Sequence, residues 1–178
     1  MPELRITGGE LGGRRIQAPK SAKLRPTTER VREAVFSILG DVSDARILDL
    51  FCGTGALAIE ALSRGAAEAT LVDTYPRTAR ENVERLGLSD RATVVRSDAA
   101  RFLRRAGEGS YDLILCDPPY RLADRLTADL GSLIPAVLAE SGRVMIESSP
   151  DNPLQIELPV LTERTYGDTM VRIYRDER

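Results

Sequence analysis

Histidine is absent from this chain of 178 residues. Without imidazole, the chain has no Ser-His or Cys-His pair for nucleophilic catalysis, and it lacks the commonest metal ligand in proteins. The sequence therefore predicts chemistry that proceeds without an imidazole base and without a bound metal ion.

Cysteines, aromatic residues and long apolar runs are also scarce. The two cysteines, Cys52 and Cys116, lie in apolar strand-end segments, which predicts reduced core thiols in a cytoplasmic protein rather than a disulfide framework. No apolar run is long enough to span a membrane, and no signal peptide is expected. Aromatic residues make up 4% of the chain, which argues against a broad stacking platform for single-stranded nucleic acid.

The charged residues are distributed unevenly along the chain. The formal net charge of −2 does not by itself indicate a nucleic-acid-binding protein. Residues 1–36, however, contain eight Lys or Arg against four Glu, whereas the remainder contains 17 basic and 23 acidic residues. A basic segment on an acidic body can bind a polyanion locally, and the alternative is an ordinary solvated surface.

From residue 45 onwards, apolar segments of strand length alternate with helical segments. The predicted strands lie near Arg46–Leu50, Ala69–Asp73, Ala92–Arg96, Tyr111–Asp117 and Arg143–Glu147. The predicted helices lie near 55–65, 75–87, 98–105 and 121–139. This alternation predicts a Rossmann-like α/β fold, in which a mostly parallel sheet of seven strands ends in an antiparallel C-terminal edge hairpin made of Val160–Tyr166 and Thr169–Arg175.

The chain is predicted to form one domain, residues 1–178, with a short N-terminal β arm. A hydrophobic content of 42% is enough for one full core at this length. The basic arm covers residues 1–25, where paired glycines separate the β-type segments Leu4–Ile6 and Arg14–Ile16. The core covers residues 26–178 and begins with a helix that threonine hydroxyls can cap.

Four acidic residues lie at or just after the ends of the predicted strands. In a parallel sheet, ligands bind beyond the C-terminal strand ends, where the strand order reverses. One such acid often only caps a helix, whereas four around one crevice favour a ligand site. These acids, at spacings of 24, 25 and 19 residues, are Asp49, Asp73, Asp98 and Asp117.

The first of these acids precedes a glycine-rich turn that many nucleotide-binding folds share. Asp49-Leu-Phe-Cys-Gly-Thr-Gly55 combines a strand end, a glycine turn and a helix start. A carboxylate at Asp49 would oppose a pyrophosphate and attract an ammonium or sulfonium group, which favours an adenosyl donor over a dinucleotide. Asp73 suits ribose hydroxyls, and Asp98 suits an adenine amino group. The predicted cofactor-binding residues are Asp49, Phe51, Gly53, Thr54, Gly55, Asp73, Asp98 and Ala99, with Cys52 packing beside the donor.

The last acid begins the unusually stiff segment Asp117-Pro118-Pro119-Tyr120. Each proline fixes its own φ and holds the preceding residue extended, so the Asp117 carboxylate and the Pro118 carbonyl become rigid neighbouring acceptors. With the flat face of Tyr120 beside them, they suit a planar group that carries an NH2. The alternative is a strand-end turn with a helix cap. Cys116 points to the opposite face and is expected to belong to the core.

Two motifs together, Asp49-Leu-Phe-Cys-Gly-Thr-Gly55 and Asp117-Pro-Pro-Tyr120, resemble the class I S-adenosylmethionine-dependent methyltransferases that modify exocyclic nitrogens. Three further segments are similar to the bacterial RsmD-type enzymes, which methylate N2 of a guanine in 16S ribosomal RNA. The second of them is the most specific: Gly13-Arg-Arg-Ile16, Arg25-Pro-Thr-Thr-Glu-Arg-Val-Arg-Glu-Ala-Val-Phe36 and Glu60-Ala-Leu-Ser-Arg-Gly-Ala66. The resemblance implies a class I methyltransferase fold, S-adenosylmethionine as donor, no metal, and 16S rRNA or the small ribosomal subunit as partner of a cytoplasmic monomer.

The resemblance also implies roles for particular residues. The catalytic residues would be Asp117, Pro118, Pro119 and Tyr120, because two acceptors bind the target amine while the aromatic ring stacks on the base. Phosphate contacts would position the RNA without reading its sequence. The predicted RNA-binding residues are Arg5, Arg14, Arg15, Lys20, Lys23, Arg25, Thr27 and Arg30.

Other functions use the same motifs. An adenine-N6 methyltransferase acting on DNA or RNA, or a glutamine-N5 methyltransferase acting on proteins, would share the donor loop and the Asp-Pro-Pro-Tyr segment. From other classes, a nicotinamide-dependent oxidoreductase could use the same fold without that segment, and a donor-binding RNA chaperone would lack catalysis. The sequence leaves these alternatives open.

Overall fold

The computed structural model describes residues 2–19, 27–119 and 123–178. Within these ranges the chain forms nine strands and five helices, none of which is long and apolar enough to cross a membrane. In chain order they are β1 (Glu3–Arg5), β2 (Arg15–Gln17), α1 (Thr27–Leu39), β3 (Arg46–Leu50), α2 (Ala56–Ser63), β4 (Glu68–Asp73), α3 (Arg77–Leu86), β5 (Ala92–Arg96), α4 (Ala99–Leu103), β6 (Tyr111–Cys116), α5 (Ala123–Val137), β7 (Leu138–Ser148), β8 (Val160–Tyr166) and β9 (Thr169–Arg175).

Seven of these strands form one sheet in the order β5-β4-β3-β6-β7-β9-β8, and β1 pairs with β2 separately. Strands β3 to β7 run parallel, whereas β9 is antiparallel to both β7 and β8. The predicted fold class is therefore confirmed. The strand order reverses at β3, which has β4 on one side and β6 on the other, so a crevice is expected at the C-terminal ends of β3 and β6.

Successive side chains of the central strands point into two different apolar layers. In β6, Leu113 and Leu115 pack with the layer formed by the N-terminal hairpin and helices α1 to α3, whereas Ile114 and Cys116 pack with α4 and α5. Because both faces of the sheet are covered, the strands read as continuous apolar runs in the sequence. Cys52 and Cys116 are buried free thiols, as predicted, and burial raises the pKa of both.

The predicted N-terminal hairpin is present, and it packs firmly against the body. Leu4, Ile6 and Ile16 are buried in the same apolar cluster as α1 and α2. The backbone N–H groups of Thr7 and Gly8 donate to Glu60 on α2, at 2.9 Å each. The hairpin therefore contributes to the core, and only its outer side resembles the predicted surface arm.

Strand β7 is longer than predicted. It begins at Leu138 rather than near Arg143, and its pairing with β6 shifts register between Tyr111 and Leu113. The added part contains Ser141, whose φ of 58° is uncommon for a residue other than glycine. This start, Leu138-Ala-Glu-Ser-Gly142, places two polar residues and a glycine after two apolar residues, so it does not carry the apolar pattern by which a strand is recognised.

Candidate functional site

A cavity of ≈ 210 Å³ opens at the C-terminal ends of β3, β6 and β7. The hairpin and α1 cover it through Leu4 and Val31, and the glycine loop after β3 forms its opposite wall. The structure brings predicted donor residues and predicted acceptor residues to this one cavity, namely Asp49, Phe51, Gly53, Thr54 and Asp117. The crevice therefore lies where the reversal of strand order predicts it.

The loop between β3 and α2 has an unusual backbone. Phe51, Gly53 and Gly55 have φ values of 60°, 53° and 79°, in the left-handed region. A Cβ atom on Gly55 would lie 2.9 Å from Cδ2 of Leu71, so this glycine allows α2 to pack against the sheet. Phe51 is the exception, because a bulky residue with positive φ stores strain of a kind that is common at functional sites.

Asp49 is buried in the wall of the cavity, with 1% of its surface exposed. Its Oδ2 accepts a hydrogen bond of 3.1 Å from the Ala58 N–H in the first turn of α2. Within the described parts of the chain, its Oδ1 has no hydrogen-bond partner. Burial, with a smaller effect of the Asp73 charge, raises the pKa of Asp49 to about 7 although the Ala58 N–H opposes the shift. The cavity therefore presents an unsatisfied carboxyl oxygen that a cationic group would satisfy.

Asp73 and Asp98 organise the neighbouring strand ends. Asp73 accepts hydrogen bonds from the Gly53 N–H at 3.0 Å and the Tyr75 N–H at 2.9 Å, so it fixes the glycine loop. Asp98 caps α4 by accepting from the Arg101 N–H at 3.1 Å. Both carboxylates have further lone pairs for a ligand. Neither belongs to the described lining of the cavity, and the same holds for the buried Ala99 and for Gly55.

The acceptor segment follows β6 directly. Asp117 lines the cavity and is exposed, Pro118 is buried and Pro119 is exposed. Tyr120 lies outside the described residues, so its stacking role stays a prediction. The buried Pro118 anchors the segment, and Asp117 faces the same space as Asp49.

The predicted RNA-binding residues form a surface on the hairpin and α1 as far as they are described. Arg5, Arg14, Arg15 and Arg30 are exposed. Arg15 also forms an ion pair of 3.1 Å with Glu3, which leaves it partly neutralised. Three predicted contacts and one side chain lie outside the described residues, namely Lys20, Lys23, Arg25 and the side chain of Thr27.

Two charged residues of the cavity were not among the predicted site residues. Arg32, 5% exposed, donates from Nε to Glu60 at 3.2 Å and from Nη2 to the Arg5 carbonyl. Glu147 lines the cavity at the C-terminal end of β7. The strand-end signal that identified Asp117 was also present at Glu147, whereas no local pattern distinguishes the buried Arg32 from the exposed Arg30 of the same helix.

Comparison with known proteins agrees with this geometry. The family described as Conserved hypothetical protein 95 matches residues 4–175, nearly the whole chain. The chain belongs to this family. The predicted RsmD-type membership is thereby confirmed, together with the prediction of an enzyme of the methyltransferase class.

Relatives in this family match the chain over nearly its whole length. It is 36% identical to ribosomal RNA small subunit methyltransferase D of Escherichia coli (strain K12), over 98% of this chain and 91% of that protein. It is 37% identical to protein YlbH of Bacillus subtilis (strain 168), over 97% and 98% of the two chains. A solved structure of Escherichia coli yhhF superposes with a TM-score of 0.83 at 34% identity, covering 99% of both chains.

Proposed function

We propose that this protein transfers a methyl group from S-adenosylmethionine to the exocyclic N2 of a guanine in 16S ribosomal RNA, within the small subunit or its assembly intermediate. It acts as a cytoplasmic monomer. The observation that carries the proposal is that one cavity is lined both by Asp49, whose Oδ1 is unsatisfied, and by Asp117. The name of the Escherichia coli relative supports ribosomal RNA of the small subunit as the substrate.

The donor side fits S-adenosylmethionine better than a phosphate-bearing cofactor. A buried carboxylate with an unused oxygen repels phosphate and attracts the ammonium and sulfonium groups of this donor. Asp49, Phe51, Gly53 and Thr54 would hold the donor in the cavity, and Asp73 and Asp98 would contact it further along the same sheet edge. When bound, the donor supplies an electrophilic methyl group on a positively charged sulfur.

The acceptor side prepares a weak nucleophile. The lone pair of guanine N2 is delocalised into the ring, so the amine is planar and unreactive. Hydrogen bonds from its two N–H groups to the Asp117 carboxylate and the Pro118 carbonyl favour a pyramidal nitrogen with a localised lone pair. Positive charge develops on this nitrogen during methyl transfer, so these acceptors stabilise the transition state more than the ground state. Formation of the carbon–nitrogen bond breaks the carbon–sulfur bond and releases S-adenosylhomocysteine, and the extra proton on N2 passes to the Asp117 carboxylate and then to water. This scheme uses no imidazole base, in keeping with a chain without histidine.

Labelling of the product tests the proposal. The protein is incubated with tritiated S-adenosylmethionine and with small subunits that lack the modification, and the RNA is digested to nucleosides. We expect the label in N2-methylguanosine. Label in N6-methyladenosine or in protein glutamine would replace the proposal with the corresponding alternative.

Replacement of Asp117 tests the role of the acceptor segment in the same assay. Asp117→Ala should bind the donor normally and lower the rate of methyl transfer by about 100- to 1,000-fold, the usual effect of removing one transition-state hydrogen bond. The matched control is Asp90→Ala, which removes an exposed carboxylate on the turn before β5. A folded Asp117→Ala variant that methylates at the rate of this control would refute the mechanism.

A further inference from the structure

Glu147 lies beside Asp117 in the sheet. Leu115 pairs with Met145, and Cys116 pairs with Ile146, in the parallel ladder between β6 and β7. Asp117 and Glu147 are the next residues on the two strands, and Pro118 holds Asp117 extended. Adjacent strands are about 5 Å apart, so the two carboxylates belong to neighbouring positions.

Both carboxylates also point to the same side of the sheet. Met145 packs in the layer of the hairpin and α1, whereas Val144 and Ile146 pack in the opposite layer. Because side chains alternate along a strand, Glu147 faces the same layer as Met145, and its place in the cavity lining agrees with this. The cavity therefore presents two adjacent carboxylates.

We propose that Glu147 is a specificity-determining residue that accepts a hydrogen bond from N1–H of the target guanine while Asp117 accepts from its N2 amine. This inference rests on the proposed function and names the feature by which the site selects its base. Two adjacent acceptors match the two adjacent donors, N1–H and N2–H, of the guanine edge. A carboxylate has about four acceptor positions, so Glu147 can form this bond in addition to its contacts within the protein.

The same pair rejects the alternative substrates. Adenine presents its N6 amine beside N1, which is an acceptor, and a glutamine side chain presents its NH2 beside a carbonyl oxygen. In either case an acceptor atom of the substrate would face the Glu147 carboxylate. The two acceptors repel each other and neither has a hydrogen-bond donor, so binding is strongly weakened. Glu147 therefore separates guanine from the other substrates that the Asp-Pro-Pro-Tyr segment alone would accept.

A base analogue tests this inference directly. 2-Aminopurine keeps the N2 amine of guanine, but its N1 is an acceptor without a hydrogen. Small subunits are reconstituted with ligated 16S rRNA that carries guanine or 2-aminopurine at the position mapped by the labelling experiment, and single-turnover methyl transfer is measured on each. For the wild-type protein we expect a preference for guanine of roughly 100-fold or more.

Glu147→Gln should reduce that preference at least about tenfold, because the new amide can donate a hydrogen bond to N1 of the analogue. Its Kd for S-adenosylmethionine should match that of the wild type, which would show that the variant is folded. Glu140→Gln, an exposed carboxylate on the other end of β7, is the control and should keep the full preference.

The two proposals fail in different ways. An unchanged guanine preference in Glu147→Gln, with label still in N2-methylguanosine, overturns the role of Glu147 and leaves the proposed function intact. The absence of N2-methylguanosine with the wild-type protein overturns the proposed function itself. If Glu147→Gln does not fold, Glu147→Asp is the second variant. It keeps the negative charge, but its shorter side chain places the carboxylate farther from the base. It should lower the rate on guanine without improving the rate on 2-aminopurine.

Discussion

Two buried carboxylates beside α2 have opposite surroundings. Asp49, in β3 and bonded to the first turn of α2, is 1% exposed, and Glu60, in the last turn of α2, is fully buried. Glu60 accepts five hydrogen bonds, two of them from the guanidinium groups of Arg32 and Arg64. Asp49 accepts one, from the Ala58 N–H.

The pKa values of the two groups move in opposite directions. Burial alone would raise the pKa of Glu60, but the hydrogen bonds from Thr7 and Arg64 and the charge of Arg32 lower it below its ordinary value. For Asp49 burial prevails, and the pKa rises to about 7. Burial therefore does not decide the role of a carboxylate. The number of donors around it does, because Glu60 is satisfied by the fold whereas Asp49 is left to be satisfied by a ligand.

Replacing Glu60 should have the largest effect on stability. Glu60→Gln keeps the shape but leaves the buried Arg32 without its counter-charge, so we expect the free energy of unfolding at pH 7 to fall by about 3–5 kcal/mol in urea titrations. The sign with pH follows from the lowered pKa. The stabilisation by Glu60 is present above its unfolded pKa near 4.5 and is lost as the pH falls through the folded value.

The Glu60 comparison has an exposed control. Glu84→Gln on α3 removes a carboxylate from the surface and should change the free energy of unfolding by less than about 0.5 kcal/mol. If Glu60→Gln is as stable as Glu84→Gln, a neutral amide at position 60 replaces the Glu60 carboxylate without loss of stability, and the prediction is wrong.

Replacing Asp49 should have the opposite effect on stability and a large effect on binding. In Asp49→Asn, titration calorimetry should show S-adenosylmethionine binding weakened about 10- to 100-fold, since a hydrogen bond to a charged group is lost. At pH 8 the variant should be more stable by about 1–3 kcal/mol. At pH 8 the wild type bears a cost of at most about 4 kcal/mol for ionising the buried Asp49. The variant avoids this cost, but it buries an amide without a hydrogen-bond partner, so the net gain is smaller.

The sign of this stability gain can be checked with pH. The raised pKa means that the folded wild type binds more protons than the unfolded chain between about pH 4 and pH 7. The gain from Asp49→Asn should therefore shrink as the pH falls from 7 towards 4. A variant that is less stable than wild type at pH 8 would show that Asp49 is satisfied by the fold, as Glu60 is.

The sheet could be predicted from the sequence because its central strands are apolar on both faces and alternate with helical segments along the chain. The predicted bounds Arg46–Leu50, Ala92–Arg96 and Thr169–Arg175 are those of β3, β5 and β9. That Asp49 and Asp117 lie at one edge of the sheet could be predicted because parallel strand ends converge there, and both residues line the cavity. Their roles towards the donor and the acceptor stay predictions.

The buried ion pair could not be predicted in the same way. Arg32 and Glu60 are 28 positions apart in the chain, and whether a charge on α1 is buried depends on how that helix packs over α2. Glu147 carries the strand-end signal, but the next two residues are serines rather than the prolines that fix the backbone after Asp117. Local sequence patterns predict which residues lie at the same edge of the sheet. An ion pair between two helices can be identified only once the packing of those helices is known.

The pH dependence of donor binding tests whether the donor contacts the Asp49 carboxylate. With a pKa of about 7, the ionised fraction of Asp49 falls from about 0.9 at pH 8 to about 0.1 at pH 6, so the affinity for a cationic donor should fall about tenfold over that interval. The ratio of the Kd values of Asp49→Asn and wild type, measured at each pH, removes the titration of the donor's own amino group. No imidazole contributes in this window because the chain has no histidine, and burial raises the pKa of both thiols well above it. A ratio that is the same at pH 6 and pH 8 would mean that the donor does not meet the Asp49 carboxylate, and the contrast between Asp49 and Glu60 would then be one of packing alone.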